Sequence, residues 1–422
     1  MLDSVFKIII LMSPLIISIG KGINVLSIAL CSLLFIKMYK QKKFLSVCIL
    51  CLVILLISYN FLQTQLLGFI TDSKTINLYI LSYLLIILVL NYCSSISNLI
   101  ELNKCFKKYK IVIIFEVILA ETYILYLFIS KKGFISRWDG TYFAGTYDNP
   151  HSFTYSMILL IVVNTYLYNL SRKKHIYILQ IVPMVTFLYT GARTPAICGT
   201  LILILINSKK IFQLKRLYKK ILLVVVVGLI IIVIKTHVEI FGNIPIIQKF
   251  LMTEEGGNIL SGRDVFWNGL ITYLLNSSWK KTLLGSGILY SMYINYCNVG
   301  NSIWSHNDFI DIIISFGILG LMVYVGCLIK YFYSLVYRSK DKAKIFLILI
   351  IFILLEYFNG TINYNNFFVV FFFVALVAFQ DSFYYIDDLE KRRIKVLVEK
   401  NIEAVSLYDL NTNIKRIEVE SK

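Results

Sequence analysis

The chain has 422 residues, of which 58% are hydrophobic and 16% are charged, and its mean hydropathy is +0.76. Soluble domains average about half apolar and about a quarter charged residues, so this composition excludes a soluble globular protein and indicates an integral membrane protein. The net charge of +18 comes from 42 basic and 24 acidic residues. In a membrane protein such an excess is typical of cytoplasmic loops and does not point to nucleic acid.

Apolar stretches long enough, or nearly long enough, to cross a bilayer recur through most of the chain. We predict an all-α integral membrane domain over residues 1–380 with about 12 transmembrane helices. The first stretch lacks a small-residue cleavage site, so we expect it to remain as a span. The spans are predicted at 8–20, 23–36, 44–62, 76–92, 111–129, 153–170, 176–190, 194–207, 221–234, 309–330, 345–358 and 367–380. Two short pairs also fit re-entrant hairpins or half-helices; they are 8–20 with 23–36, and 176–190 with 194–207.

Charge predicts the orientation of these spans. With a cytoplasmic N-terminus, most lysines and arginines fall in the inner segments, as the positive-inside rule requires. Both termini, including the tail over 381–422, are then cytoplasmic, and the loops 130–152 and 235–308 face outward. Loop 235–308 is too long for a simple connector, so we expect it to fold. Its apolar residues from Val265 to Leu275 recur at helical spacing, which predicts a helix on the bilayer surface or over the bundle.

Four helix starts are predicted at the outer face. Two match the capping box S-x-x-D, in which the serine caps the helix and the aspartate reaches back. A third has proline at the first helical position behind a threonine cap, and the fourth has asparagine before proline. They are Ser261 to Asp264, with Arg263 in the first turn; Ser305 to Asp308, with His306 in the first turn; Thr194-Pro195, preceded by Arg193; and Asn149-Pro150, followed by His151.

Converging helix N-termini and arginines predict an anion site. Free N–H groups and a partial positive charge bind phosphate, and Arg193, Arg263 and Arg137 would add bidentate donors. The same field keeps His306 neutral and able to act as a base. No cluster of His and carboxylate residues has metal-ligand spacing, so we expect no metal cofactor. The plainer interpretation stays open, in which the arginines anchor to lipid headgroups and the capping residues and histidine are structural.

Four motifs in this order resemble the O-antigen polymerase and ligase superfamily, bacterial membrane proteins that act on undecaprenyl-diphosphate-linked sugars. The resemblance covers about residues 140–325, and the Asn149-Pro150 element lies upstream of the four motifs. Two departures are His151, where a second Asn is expected, and Ala192, where Ser is commoner. The motifs are Gly-Ala-Arg (191–193), Ser-Gly-Arg-Asp-Val-Phe-Trp (261–267), Leu-Leu-Gly-Ser-Gly-Ile (283–288) and Ser-His-Asn-Asp-Phe-Ile-Asp (305–311).

The resemblance implies a fold similar to the membrane-embedded type C glycosyltransferases and a metal-independent, inverting transfer of a glycan from its lipid diphosphate. Arg193 and Arg263 would hold the diphosphate, and His306 would be the acceptor base or a positioning group. We predict these three as catalytic residues. The residues predicted to bind substrate are Arg137, Asn149, Ser261, Asp264, Ser305, Asn307 and Asp308.

Polymerase and ligase share these motifs and differ in the acceptor. The Ile, Lys, Asn and Tyr bias is typical of an AT-rich bacterial genome and favours a capsule or exopolysaccharide polymerase in the cytoplasmic membrane. Its expected partners are the lipid-linked oligosaccharide, membrane lipids, a chain-length regulator and a flippase. Two alternatives remain: a flippase for the same lipid-linked units, and a non-catalytic subunit of a polysaccharide export machine.

Overall fold

The computed structural model describes nine stretches of the chain, and 83% of the structure is helical. The described residues are 2–40, 44–66, 72–137, 140–171, 174–212, 244–254, 262–339, 341–364 and 367–380. The α-helices are α1 Leu2–Ile19, α2 Ile23–Lys40, α3 Phe44–Leu66, α4 Ser73–Cys93, α5 Ile96–Lys108, α6 Lys110–Ile129, α7 Pro150–Ser171, α8 Ile181–Thr190, α9 Arg193–Phe212, α10 Pro245–Glu254, α11 Arg263–Asn276, α12 Trp279–Leu284, α13 Tyr290–Val299, α14 Asp308–Arg338, α15 Lys342–Phe358 and α16 Phe368–Gln380.

Six helices of the described chain are long and apolar enough to cross a membrane. They fall in α2, α3, α4, α6, α7 and α14, and three shorter apolar helices accompany them. The protein is therefore compatible with an all-α membrane protein, whereas the count of twelve spans stays a prediction. The predicted span 221–234 and the tail over 381–422 lie outside the described residues. The predicted span 176–190 is divided into a 3-10 helix, Lys174–Gln180, and the ten-residue α8.

Helix α7 lies at the centre of the bundle. It is mostly apolar, and 17 of its 22 residues are buried against neighbours that include α1, α8 and α9. A helix that is hydrophobic all round is stable only when other elements surround it. The residues of α16 are likewise buried throughout. These two helices form the core on which the polar end of the bundle is built.

Helix α14 is broken near its start. Gly317 has φ 71° and ψ −175°, a conformation that only glycine adopts without strain. The segment after α12 packs into this break: Ser286 N donates to the free Ile314 carbonyl at 2.8 Å. Asn60 and Thr64 of α3 bind the same segment through Leu284 O (2.7 Å) and Ile288 N (2.7 Å). Non-helical backbone within a spanning helix is thus covered by protein groups that bond to it and to the segment beside it.

The predicted outer loop 130–152 contains a β-hairpin that the sequence analysis did not predict. Strands β1 Phe134–Arg137 and β2 Gly140–Phe143 pair antiparallel, with Phe134 opposite Phe143. The hairpin is held by aromatic packing, because Phe143 meets Phe128 at 5.2 Å and Phe153 at 5.0 Å between ring centroids. It therefore fixes the chain just before α7 begins.

Helix α11 confirms the helix predicted in the second outer loop. Trp267 and Leu270 are buried against the bundle, while Val265, Ile271 and Leu275 are exposed. The indole Nε1 of Trp267 donates to Ser305 O at 2.7 Å. The helix therefore packs over the end of the bundle through one face, and this contact sets the position of its first residue, Arg263.

An ion-pair network lies at the other end of the bundle. Lys7 and Lys37 both pair with Asp3 and Glu101, at N–O distances of 2.6 to 3.2 Å. It joins α1, α2 and α5, and hydrogen bonds to the two lysines lower the pKa of Asp3 below its usual range. These pairs neutralise cations at this end, in contrast with the arginines of the site described below.

Candidate functional site

The polar end of the bundle is built around the connection between α15 and α16. Residues 359–364 form this connection, and the starts of α7, α11 and α14 approach it. Each of these elements was predicted to begin at the outer face. Three of the four predicted helix starts lie at this connection. The fourth start, at α9, lies near enough that the charge of Arg193 acts on Arg263.

The segment before α14 differs from the predicted capping box. The N-cap is Asn307, whose side chain accepts from Ile310 N at 3.1 Å, so the prediction of Ser305 as N-cap is wrong. Ser305 instead forms a local turn, in which its Oγ accepts from Asn307 N (3.0 Å) and donates to Asn307 O (2.8 Å). His306 lies outside the first helical turn and has φ 57°, a strained value for a residue with a Cβ.

Asp308 holds this segment against the 359–364 connection. Its carboxylate accepts from Thr361 N (2.6 Å), Thr361 Oγ1 (2.8 Å) and Ile362 N (3.2 Å). Asp311, one turn later, accepts from Ser305 N at 3.2 Å and from Ser291 Oγ at 2.6 Å. Ser305, Asn307 and Asp308 were predicted to bind substrate. Their side chains are buried and bonded within the protein, so in this structure they position the site.

Arg263 is the first residue of α11 and reaches into the centre of the site. Its guanidinium donates to Phe358 O and, at 3.2 Å, to Asn359 Oδ1. Both acceptors are uncharged, and no acidic partner is found in the described part of the chain. Burial and the nearby charge of Arg193 lower the pKa of Arg263, but a guanidinium stays protonated at any physiological pH. The site therefore holds a half-buried positive charge that has no acidic partner in the described chain.

Asn359 is fixed in turn by α7. Its Nδ2 donates to the Tyr155 hydroxyl at 2.6 Å, and that hydroxyl donates to Gly360 O at 2.6 Å. Tyr155 lies one helical turn after His151, on the same face of α7. A chain of hydrogen bonds thus runs from the central helix to the guanidinium of Arg263.

His306 lies beside this guanidinium. Burial, and then the charge of Arg263, lower the pKa of His306 to about 4, although the Asn359 backbone carbonyl accepts a hydrogen bond from the ring. The imidazole is therefore neutral at neutral pH, and burial contributes more to this than the positive field on which the prediction was based. Its Nδ1 is buried and finds no hydrogen-bond partner among the residues that the structure describes.

Aromatic rings surround the histidine. Trp304 lies 6.0 Å from His306 and 6.1 Å from Tyr364, and Tyr364 lies 6.0 Å from His151, all between ring centroids. The Trp304 indole interacts with the Tyr364 hydroxyl, whereas His151 Nδ1, like His306 Nδ1, is buried and finds no hydrogen-bond partner within the described chain. We call Trp304, His306, Tyr364 and His151 the ring cluster. Buried polar atoms normally have partners, so the two imidazole nitrogens indicate a place for a ligand or ordered water.

Three further cations approach the ring cluster. Arg193 Nη1 donates to Lys249 O at 3.2 Å, and the Lys249 ammonium lies 4.4 Å from the centre of the Tyr142 ring. Arg137 Nη2 donates to Asp148 O at 3.4 Å, next to the start of α7. The charges of Arg137 and Lys249 act on the His151 ring, and that of Arg193 acts on Arg263. The structure therefore brings together the three predicted arginines and adds Lys249, which the sequence analysis missed.

The other three predicted helix starts are present, but the starts of α9 and α11 differ from the predicted ones. Asn149 caps α7, since its Oδ1 accepts from His151 N at 2.9 Å, and Pro150 is the first helical residue. Helix α9 begins at Arg193, so the prediction of Thr194 as its cap is wrong. Helix α11 is capped by Gly262 with φ 79°. Ser261 lies outside the described residues, and Asp264 lies in the first turn of α11.

A cavity of about 480 Å³ opens beside the ring cluster. It lies between the α1–α2 turn, the start of α4 and the start of α7, and Tyr364 belongs to both the cavity and the cluster. Its volume is within the range of small-molecule sites, about 300–1,000 Å³. The lining residues are Gly20, Gly22, Ile23, Asn24, Val25, Lys74, Leu78, Tyr147, Asp148, Asn149, Ser152, Asn363 and Tyr364.

The sequence analysis missed several of these residues. Tyr155 carries a weak signal, because it follows His151 at helical spacing in the same predicted span. Asn359, Tyr364 and Lys249 carry none, since each lies in a connection or short helix far along the chain from its partners. Trp304 lies two residues before His306 but outside the predicted motif.

Comparison of the chain with models of protein families finds no matching family, and comparison with curated proteins finds no significant match. The functional assignment therefore depends on the motifs and on the geometry of the site.

Proposed function

We propose that the protein is a membrane glycosyltransferase that polymerises polysaccharide repeat units, transferring a glycan from undecaprenyl diphosphate onto an acceptor repeat unit. The observation that carries this proposal is the half-buried Arg263, bonded only to uncharged acceptors beside the unpartnered Nδ1 of His306. A guanidinium that is partly removed from water and has no carboxylate partner favours an anionic ligand. A neutral imidazole next to that anion suits glycosyl transfer from a diphosphate, because it can accept the proton of the acceptor hydroxyl.

The leaving group would be held by the cations. Arg263 and Arg193 would donate bidentate hydrogen bonds to the diphosphate, and Lys249 would add charge to the same cluster. These donors stabilise the negative charge that develops as the bond from the anomeric carbon to the phosphate oxygen breaks. Because the cationic charge is supplied by side chains, the proposed reaction is metal-independent.

His306 would receive the proton of the acceptor hydroxyl. The hydroxyl oxygen forms the new bond to the anomeric carbon, the diphosphate leaves with the electron pair, and the proton goes to the free Nδ1. A single displacement of this kind inverts the anomeric configuration. A pKa of about 4 makes His306 a weak base in the empty site, but a bound diphosphate would offset Arg263 and raise that pKa.

The proposed setting is the bacterial cytoplasmic membrane, with about 12 spans, both termini in the cytoplasm and the ring cluster at the outer face. In that orientation the starts of α7 and α14 and the end of α15 all lie outside. Lipid-linked units would arrive from a flippase, and a chain-length regulator would act on the product.

The test replaces Arg263 or His306 by alanine in the producing strain, after confirming that each variant accumulates in the membrane. Undecaprenyl-linked glycans are then extracted and sized. We expect single repeat units to accumulate and long polymer to be lost. The matched control is Arg338→Ala, which changes an arginine at the far end of α14 and should leave the glycan profile unchanged.

Other profiles would contradict the proposal. Accumulation of long lipid-linked chains would indicate a ligase, and units trapped on the inner leaflet would indicate a flippase. An unchanged profile would make the two residues structural caps or lipid anchors.

A further inference from the structure

The cavity beside the ring cluster differs in chemistry from the cationic part of the site. Arg263, Arg193 and Lys249 are absent from its lining, whereas amide, hydroxyl, carboxylate and ammonium groups alternate around it. The phosphate-binding chemistry and the cavity are therefore adjacent but separate, and Tyr364 is the residue they share.

The lining matches the chemistry of a sugar. Asn24, Asn149, Asn363 and Asp148 offer planar donors and acceptors for vicinal hydroxyl groups, and Lys74 adds a donor at the start of α4. Aromatic rings that carry a hydroxyl present an apolar face with a polar edge, which suits the C–H face of a pyranose. The apolar side chains of Ile23, Val25 and Leu78 complete the lining, so the cavity offers both polar and apolar surface, as a pyranose ring does.

Tyr364 links the cavity to the ring cluster. It is only 4% exposed and lines the cavity, and its ring lies 6.1 Å from Trp304 and 6.0 Å from His151. A sugar bound in the cavity would therefore lie against the edge of the ring cluster.

Resting on the proposed function, we propose that this cavity binds the acceptor sugar, the terminal residue of the glycan that receives the transferred chain. The bound sugar would present its hydroxyl to the ring cluster, with the donor diphosphate held by the arginines beyond it. The hydroxyl oxygen bonds to the anomeric carbon, the carbon–oxygen bond to the diphosphate breaks, and the proton goes to His306. The cavity thereby determines which sugar and which hydroxyl are extended.

The test either fills the cavity or removes a polar group from its lining, and it leaves Arg193, Lys249 and Arg263 unchanged. Val25 lines the cavity and is 72% exposed, so Val25→Trp places an indole at its mouth, while Lys74→Ala removes a donor. The matched control is Ile28→Trp, one turn further along α2, which is 57% exposed and outside the cavity lining. Purified full-length variants are assayed for binding of undecaprenyl diphosphate and for elongation of lipid-linked glycan from the producing strain.

We expect Val25→Trp to reduce elongation about tenfold or more, equivalent to about 1.4 kcal/mol or more in acceptor binding. Lys74→Ala should raise the acceptor concentration needed for half-maximal rate. Both variants should bind undecaprenyl diphosphate as the wild type does, and Ile28→Trp should behave as wild type in both assays. Should Val25→Trp fail to accumulate, Lys74→Ala decides the question alone.

Two results would overturn the inference. One is normal elongation by both cavity variants, and the other is loss of undecaprenyl diphosphate binding in both. Failure of the proposed function looks different, because Arg263→Ala would then elongate glycan normally. If Arg263→Ala is inactive and the cavity variants are fully active, only the acceptor assignment fails.

Discussion

Arg263 and His306 act on each other through charge. Burial of the imidazole lowers the pKa of His306, and the nearby guanidinium lowers it further because it disfavours a second positive charge. The strained φ of His306 is maintained by the hydrogen bonds of its neighbours Ser305 and Asn307. The two residues therefore form a preorganised pair whose electrostatic balance depends on whether an anion is bound.

This coupling predicts a ligand-dependent titration of His306. In the empty protein the ring should titrate near pH 4, and inorganic pyrophosphate should raise its pKa by offsetting the charge of Arg263. The measurement is NMR of protein carrying carbon-13-labelled histidine, with His306→Asn to assign the signal among the 4 histidines. A ring that titrates near 6.5 in the empty protein would contradict the buried, cation-adjacent position.

The same lowered pKa predicts how stability depends on pH. Between pH 6.5 and about 4 the unfolded chain takes up a proton at His306 and the folded chain does not. Stability should therefore fall as the pH falls through this interval and should not depend on this residue above it. Thermal unfolding in detergent at several pH values should show a shallower acid loss for His306→Asn. Equal slopes for variant and wild type would count against this contribution.

Asp308 is predicted to position the site and not to react. Asp308→Asn replaces one acceptor oxygen by an amide that faces the N–H groups of Thr361 or Ile362, at a cost of about 1–3 kcal/mol. Both the melting temperature and the polymerase activity should fall. The control is Asp341→Asn at the N-cap of α15, where asparagine caps as well as aspartate. Lost activity with unchanged stability would instead make Asp308 a reacting group.

At the scale of elements, helix starts and breaks determine the geometry of the site. The starts of α7, α11 and α14 contribute Asn149, Arg263 and Asn307 to the site. The break in α14 lies between the site and the rest of that helix. It is filled by the segment after α12, so the first part of α14 is held by α3 as well as by its own helix.

The break predicts a contrast between two glycines of α14. Gly317→Ala would place a Cβ against the Leu283 carbonyl at a positive φ, and such strain costs about 1–3 kcal/mol before any overlap is counted. Gly326→Ala meets no heavy atom within 4 Å and should be neutral or slightly stabilising. Melting temperatures in detergent measure both. Equal melting temperatures for the two variants would mean that the break is not required.

At the scale of the whole molecule, the two ends of the bundle carry different electrostatics. The end near Asp3 and Lys37 pairs its cations with carboxylates, whereas the end near Arg263 bonds its half-buried guanidinium to uncharged atoms. The first arrangement connects α1, α2 and α5. The second leaves a positive charge without an acidic partner in the described chain, as the proposed function requires.

The proposed orientation predicts the labelling of one cysteine. Cys297 is exposed on α13, in the predicted outer loop, so a membrane-impermeant maleimide should label it in intact cells. Cys297→Ser should abolish that label. Lys107→Cys in the Cys297→Ser background, on the exposed side of α5, should react only after the cells are permeabilised. Labelling of Lys107→Cys in intact cells, without labelling of Cys297, would reverse the topology.

The sequence alone determined the class of protein and most of the apolar helices. Hydrocarbon requires long apolar runs, and a run such as 111–129 therefore predicted α6, Lys110–Ile129, within one residue. The positions of Arg263 and His306 in a long polar loop between such runs also marked them as candidates. These signals are local, because they depend only on residues near one another in the chain.

The tertiary structure alone decided how the site is completed. Arg263 meets Asn359 across 96 residues, and Asn359 meets Tyr155 across 204, so no local pattern reports either contact. The caps moved to Asn307 and Gly262 because burial of Ser305 and docking of Trp267 outweigh the preferences of single residues. The fold also placed Tyr364 between the ring cluster and the cavity, which follows from packing and not from any spacing in the sequence.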